Sequence, residues 1–216
     1  MEPTILNSPR IYNGAGVYNT GANGGGGDNN LIGKDYKTIK VNGITWLAEN
    51  LNYRFSGGKL GITGQPSNPA YAYYDNDDSV YDCFGTRNTG LLYNWYAVKF
   101  LEDNKHLLCP GWHVPTIDEW RSLINYFGGA ASAGKKLKKN GVNWAPSWGG
   151  TNESEFSVLP GGSYYGSFVQ ITTYARFWTI DTNGSNAGLI RFSQLDDVVY
   201  DYDALSNAFS LRLVKD

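Results

Sequence analysis

The sequence predicts an α+β domain with two short helices and antiparallel sheets, and three observations carry that prediction. Asn42-Gly43 interrupts two alternating runs, residues 36–41 and 44–47. Such a pair is a strong hairpin signal, because both residues tolerate positive φ. Thr116-Ile117-Asp118-Glu119 is a capping box, in which the threonine hydroxyl accepts from the Glu119 amide while the carboxylate reaches back. Trp120, Leu123, Ile124 and Phe127 then form one apolar stripe, and Gly128-Gly129 ends it. From Phe156 onward, short alternating runs separated by turn residues read as strands. The other helix is expected over residues 91–100, where Leu92, Trp95, Tyr96 and Lys99 fall at helical spacing.

Composition supports the same class. The 216 residues make about one to one and a half domains. Charged residues are only 18%, while 27 Gly, 7 Trp, 16 Tyr and 9 Phe indicate many turns around an aromatic core. That profile excludes a coiled coil and a fully disordered chain. A net charge of −2 argues against nucleic-acid binding through a broad basic field. No run approaches the length of a membrane span, so no membrane insertion is expected. Met1-Glu2-Pro3-Thr4 shows neither a basic nor an apolar signal region. Two cysteines, Cys83 and Cys109, are too few for a disulfide framework, and whether they bond to each other stays open.

Residues 1–30 read as a leader or docking segment, because the Gly- and Asn-rich run at 14–30 cannot bury a core of its own. Gly24 to Gly27 is not a phosphate loop, since no Gly-Lys-Ser/Thr follows. The globular domain is expected over 31–216.

Enzyme signals are weak. Neither His106 nor His113 has a nucleophile motif beside it, and His113 reads as a structural hydrogen-bonding residue. Asp75, Asp77, Asp78 and Asp82 are dense in carboxylate, yet an EF-hand counted from Asp75 would need Gly where Val80 stands. A solvated acidic turn is expected there. Lys135-Lys136-Leu137-Lys138-Lys139 is expected to be a solvated basic turn.

The C-terminal segment stands apart. Residues 179–207 contain five Asp and one Arg, a local charge of −4, so the remainder of the chain is near +2. The segment has no Lys, Glu, Trp, Met, Pro, Cys or His. Tyr, Ser, Asn and Asp combine rigid amphipathic rings with adaptable hydrogen-bonding groups, a composition suited to a binding surface. The candidate ligand-binding residues are Asp181, Asn183, Asn186, Gln194, Asp196, Asp197, Tyr200, Asp201, Tyr202 and Asp203, most of them expected on one exposed surface. No catalytic residue, metal ligand or cofactor is assigned. Asp196/Asp197 and Asp201/Asp203 could hold an ion, but strand alternation is expected to split each pair between faces.

Six motifs then occur in order: residues 36–50 (YKTIKVNGITWLAEN), 91–98 (LLYNWYAV), 109–120 (CPGWHVPTIDEW), 156–162 (FSVLPGG), Phe177-Trp178 and 209–216 (FSLRLVKD). Together they resemble the Fibrobacter succinogenes major paralogous domain over about residues 33–216. The resemblance implies a C-type-lectin-like fold, related in architecture to the formylglycine-generating enzymes. It also places Trp46, Trp95, Trp112, Trp120 and Trp178 in a buried framework.

Many members of that family look like variable proteins of diversity-generating retroelements. In those, adenines of Asn-type codons are randomised between a Phe-Trp motif and a Phe-Ser-Val-Arg-like ending. Here Phe177-Trp178 and Phe209-Ser210-Leu211-Arg212 are the matching borders, and 179–207 would be the variable region. Such randomisation cannot yield Lys, Glu, Gln, Met or Trp, so Gln194 would be template-encoded. Thr179-Ile180-Asp181 departs from the usual Ser-Ser-Thr/Ser.

The resemblance implies a non-enzymatic binding protein, most readily a phage tail receptor-binding protein that attaches to a host cell-surface protein or glycan. Residues 1–30 would then dock to other virion tail proteins, and a homotrimer is left open. A bacterial cell-surface adhesin or glycan-binding domain is the alternative. An enzyme of the formylglycine-generating type is disfavoured, since neither cysteine lies in the late segment. The lectin motifs Glu-Pro-Asn and Trp-Asn-Asp are absent, which favours recognition without a metal.

Overall fold

The computed structural model describes residues 4–6, 36–76, 89–140 and 148–216. The glycine-rich run, Asp77, Asp78, Asp82 and Cys83 lie outside the described residues.

The Asn42-Gly43 hairpin forms as the sequence predicts. β2 (Thr38–Val41) pairs antiparallel with β3 (Ile44–Leu47), and the turn has φ of 50° and 87° at its two residues. A short edge strand, β1 (Thr4–Leu6), adds to β2. The C-terminal strand β14 (Val214–Lys215) inserts between β3 and β7 (Trp112–His113), giving the sheet order β1-β2-β3-β14-β7. The two ends of the domain therefore close on each other.

A six-stranded sheet has the order β4-β5-β6-β13-β8-β9. It contains β4 (Lys59–Leu60), β5 (Ala70–Ala72), β6 (Leu92–Asn94), β8 (Gly161–Tyr164), β9 (Phe168–Ile171) and β13 (Ala208–Phe209). β4 and β5 run parallel, so this sheet is mixed and not wholly antiparallel as expected. The third sheet is an antiparallel meander of β10 (Ala175–Asn183), β11 (Asn186–Phe192) and β12 (Val198–Ala204), with β12 at its edge.

Three α-helices, not two, occur among the described residues. α1 (Trp95–Asp103) starts later than its apolar spacing suggested, because Leu92 to Asn94 is spent in β6. Asn94 Oδ1 accepts from the Ala97 amide at 3.0 Å and caps it. α2 (Ile117–Tyr126) has the complete capping box: Glu119 N donates to Thr116 Oγ1 at 3.2 Å and Thr116 N to Glu119 Oε2 at 2.7 Å. Gly128 and Gly129, at φ 111° and 85°, end it. The unexpected helix, α3 (Ala133–Leu137), lies in the basic run.

Two aromatic cores flank the meander. Trp178 and Leu189 enter one, with Trp95, Trp112, Tyr93 and Phe209. Phe177 and Ile190 enter the other, with Trp46, Trp120, Phe156 and Phe192. Alternation explains the division, since neighbouring residues of a strand point to opposite faces. All five framework tryptophans are buried, as expected.

Candidate functional site

The bracketing motifs are built into these cores. Trp178 Nε1 donates to Tyr93 O at 2.8 Å, and Trp178 N to Ser210 O at 3.2 Å, tying the two borders of the segment together. Arg212 is wholly buried. Its Nε donates to Asn50 Oδ1 at 3.0 Å, and its terminal nitrogens donate to the carbonyls of Leu47, Phe156 and Ser157. The guanidinium lies 4.2 Å from the Phe156 ring centroid and 5.3 Å from that of Phe177. Burial pulls its pKa down to about 9. The arginine of the ending motif is therefore a knot of four hydrogen bonds that ties its own segment to residues 47–50 and 156–157.

The candidate residues divide into three places. Register pairs Trp178 with Leu189 but Thr182 with Ala187, so β10 bulges at residues 179–181 opposite Gly188. The bulge aims half-buried Asp181 at α2, where its Oδ2 accepts from Ile117 N at 2.7 Å. Asp181 thus serves the helix N-terminus, where a carboxylate satisfies an otherwise orphaned amide. Asn183 and Asn186 are exposed and face each other across the tight Gly184-Ser185 turn.

In β12, alternation splits the tyrosines from the aspartates. Tyr200 pairs with Ile190 and Tyr202 with Gly188, on the face toward α2. There the Arg121 guanidinium sits 5.5 Å from the Tyr200 ring centroid, and Tyr202 is exposed. Asp201 and Asp203 pair with Leu189 and Ala187 on the opposite face. The expected single surface is corrected to two faces of β12 and two separate turns, with Asp181 held against α2. The expected splitting of Asp201 from Asp203 is corrected too: two residues apart, they share a face.

On the aspartate face, Tyr165 Oη donates to Asp203 Oδ2 at 2.9 Å. The Arg176 guanidinium lies 4.6 Å from the Tyr174 ring centroid and 5.5 Å from that of Tyr165. Its Nη1 donates to Ser163 Oγ at 2.8 Å and Gln170 Oε1 at 2.7 Å. Burial raises the Tyr165 phenol and lowers the Arg176 guanidinium pKa. Asp201 Oδ1 accepts from Tyr202 N at 2.9 Å and Asp203 Oδ1 from Ala204 N at 2.8 Å. Each aspartate occupies a backbone donor of an edge strand, which blunts pairing with another chain.

Gln194, Asp196 and Asp197 lie in the turn between β11 and β12. That turn rests on Lys138, whose side chain is fully buried. Lys138 therefore overturns the solvated reading of the basic run at this position. Periodicity missed it because Lys138 lies one residue past α3, where the chain leaves helical spacing.

His113 Nε2 lies 2.8 Å from Glu119 Oε1, while Glu119 Oε2 accepts from Thr116. His113, Glu119 and Asp216 keep donor atoms within 4.8 Å of one another. The histidine–glutamate contact joins β7 to the start of α2, the structural bond expected of His113. Cys109 is buried, and desolvation raises its thiol pKa to about 11, whereas reactive thiols have lowered values.

This α+β domain holds its meander between the framework motifs, with Leu189, Ile190 and Phe192 in the cores and Asn183, Asn186, Asp201 and Tyr202 at the surface. The model of the Fibrobacter succinogenes major domain matches residues 39–215, and the chain belongs to that family. No curated protein and no solved structure matches it.

Proposed function

We propose that the chain is a non-enzymatic binding protein with a C-type-lectin-like scaffold and a diversified surface over residues 179–207. The reading places it at a phage tail, where it attaches to a host cell-surface protein or glycan. The observation that carries it is the contrast within one meander. β10 and β11 bury side chains in both cores, whereas β12 buries only Val198 and exposes Asp201, Tyr202 and Ala204. A rigid support lowers the ordering cost of binding through the outward residues. Return of the C-terminal strand to the N-terminal hairpin suits the proposed fold.

Tyr202 is 40% exposed and Tyr165 is 39% exposed, and rings of this kind also suit sugar stacking, which favours the alternative of a surface adhesin or glycan-binding domain. Attachment tests the reading. Tyr202→Ala is expected to leave the melting temperature unchanged and to weaken attachment to the cognate cell at least about tenfold, as loss of an aromatic anchor does. Undiminished attachment by both Tyr202→Ala and Tyr200→Ala would remove the strand from the binding surface. A reverse transcriptase gene beside a near-repeat of the 3′ coding end is the expected genomic mark of diversification.

A further inference from the structure

Residues 193–197 form a turn whose shape owes almost nothing to its own side chains. The ammonium of Lys138 donates to three successive carbonyls: Ser193 O at 3.1 Å, Gln194 O at 3.2 Å and Leu195 O at 2.8 Å. Those three bonds use all the donors an ammonium has. Asp196 O accepts from Gly134 N at 2.9 Å, and Val198 N donates to Ala130 O at 2.7 Å. Gly134 is required for this approach, because a Cβ there would lie 2.6 Å from Asp196 O. Of the turn's side chains, Ser193 Oγ accepts from Leu195 N at 3.1 Å, and Asp196 Oδ1 stands 3.9 Å from the ammonium.

Lys138 is itself held in place. Its amide donates to Gly134 O, its neighbours Leu137 and Lys139 bond to Val158, and its ammonium lies 5.3 Å from the Trp148 ring centroid. Main-chain support of this kind keeps the same turn whatever side chains stand at 194 and 195. The turn presents Leu195, 68% exposed at its tip, flanked by half-exposed Asp196 and by Asp197. An apolar group held rigidly in the open loses little freedom when it is buried against a partner.

We infer that this turn is a protein-binding loop, with Leu195 as its apolar anchor and Lys138 as its positioning residue. The partner is a protein segment offering an apolar socket rimmed by Lys or Arg, complementary to Asp196 and Asp197. This inference rests on the binding reading above and adds, in the turn, a second anchor to Tyr202 on β12. Because all three Lys138 hydrogen bonds go to carbonyls, the side chains at 194 and 195 can change without changing the loop's shape.

The test is selection of a displayed random-peptide library on the full chain. Enriched peptides are expected to carry an aliphatic or aromatic residue beside Lys or Arg. Their affinity is expected to fall at least about tenfold for Leu195→Ser, and to lose salt dependence in Asp196→Asn with Asp197→Asn. Exchange of the amides at 195–198 is expected to be unchanged in Leu195→Ser and Gln194→Ser. Lys138→Met is expected to speed that exchange and weaken the peptides together, which a role confined to global stability would not do. Should Lys138→Met fail to fold, Leu195→Ser alone decides, since its side chain is on the surface. Enriched peptides that ignore Leu195→Ser but are lost in Tyr202→Ala would overturn the loop and leave the binding reading standing. Binding confined to glycans would overturn the protein partner.

Discussion

Two buried cations show how differently the framework and the turn at 193–197 are built. Arg212 sends its planar fork to Asn50, Leu47, Phe156 and Ser157, so one side chain ties together regions far apart in sequence. Lys138 gathers three adjacent carbonyls of one short turn. Around Arg212, side chains meet side chains: Trp46, Trp120, Phe156 and Phe177 pack with ring centroids within 6 Å of a neighbour. Around Lys138, the scaffold grips main chain. The first arrangement demands particular residues, because each ring and donor has one place. The second makes no such demand at 194 and 195, although Ser193 and Asp196 take part in the turn.

Arg212→Met should break the framework side of that contrast most severely. It leaves several buried acceptors unpaired, at about 1–3 kcal/mol each, and a loss of at least about 3 kcal/mol is expected in chemical denaturation. A midpoint close to the parent's would show that water enters and re-satisfies those carbonyls, making the knot dispensable.

Gly188→Ala tests the seam between the regions. A Cβ at 188 would lie 2.6 Å from Thr179 Oγ1 and 2.9 Å from Ile117 Cδ1, so these side chains, on the bulge in β10 and at the start of α2, must give way. The expected cost is about 1–3 kcal/mol, typical of overpacking. Faster exchange of the Ile117 amide, which Asp181 holds, is the local signature. Its absence would mean that the bulge adapts without disturbing the helix.

Thr116→Ala should cost about 1 kcal/mol, the usual loss on removing an N-cap. Equal denaturation midpoints would show that Asp181 and Glu119 suffice to start α2.

The smallest effect concerns His113. Its hydrogen bond to Glu119 raises the imidazole pKa, with desolvation opposing. The resulting stability is complete below the ordinary value of 6.5 and is lost as pH rises through the raised folded value. Glu119 runs the other way. Burial alone would raise its pKa, but hydrogen bonds from His113 and Thr116 outweigh it and lower the value. Its contribution is present above 4.5 and fades as pH falls through the lowered folded value. His113→Gln should flatten the fall in denaturation midpoint just above pH 6.5. An unchanged profile would assign that pH dependence to other groups.

Local signals were legible in the sequence. Asn42-Gly43, the capping box and the glycine stop each act within a few residues, so their geometry follows from short-range sterics and hydrogen bonds. Framework burial was legible as well, because large rings at Trp46, Trp95, Trp112, Trp120 and Trp178 have few places to go other than a core. The candidate segment could be bounded by composition, but its arrangement could not be read. Strand alternation says that Tyr200 and Asp201 point opposite ways, yet which face meets α2 was decided only when Ile190 and Leu189 stood opposite them. Asp181 reads as an exposed carboxylate until a two-residue bulge aims it at a helix 64 positions away. Lys138 reads as one charge among four until the turn at 193–195 closes over it. In each case the partner is remote in sequence, and the contact depends on which faces two distant elements bury together. Composition and periodicity carry no record of that choice; only the packed chain makes it.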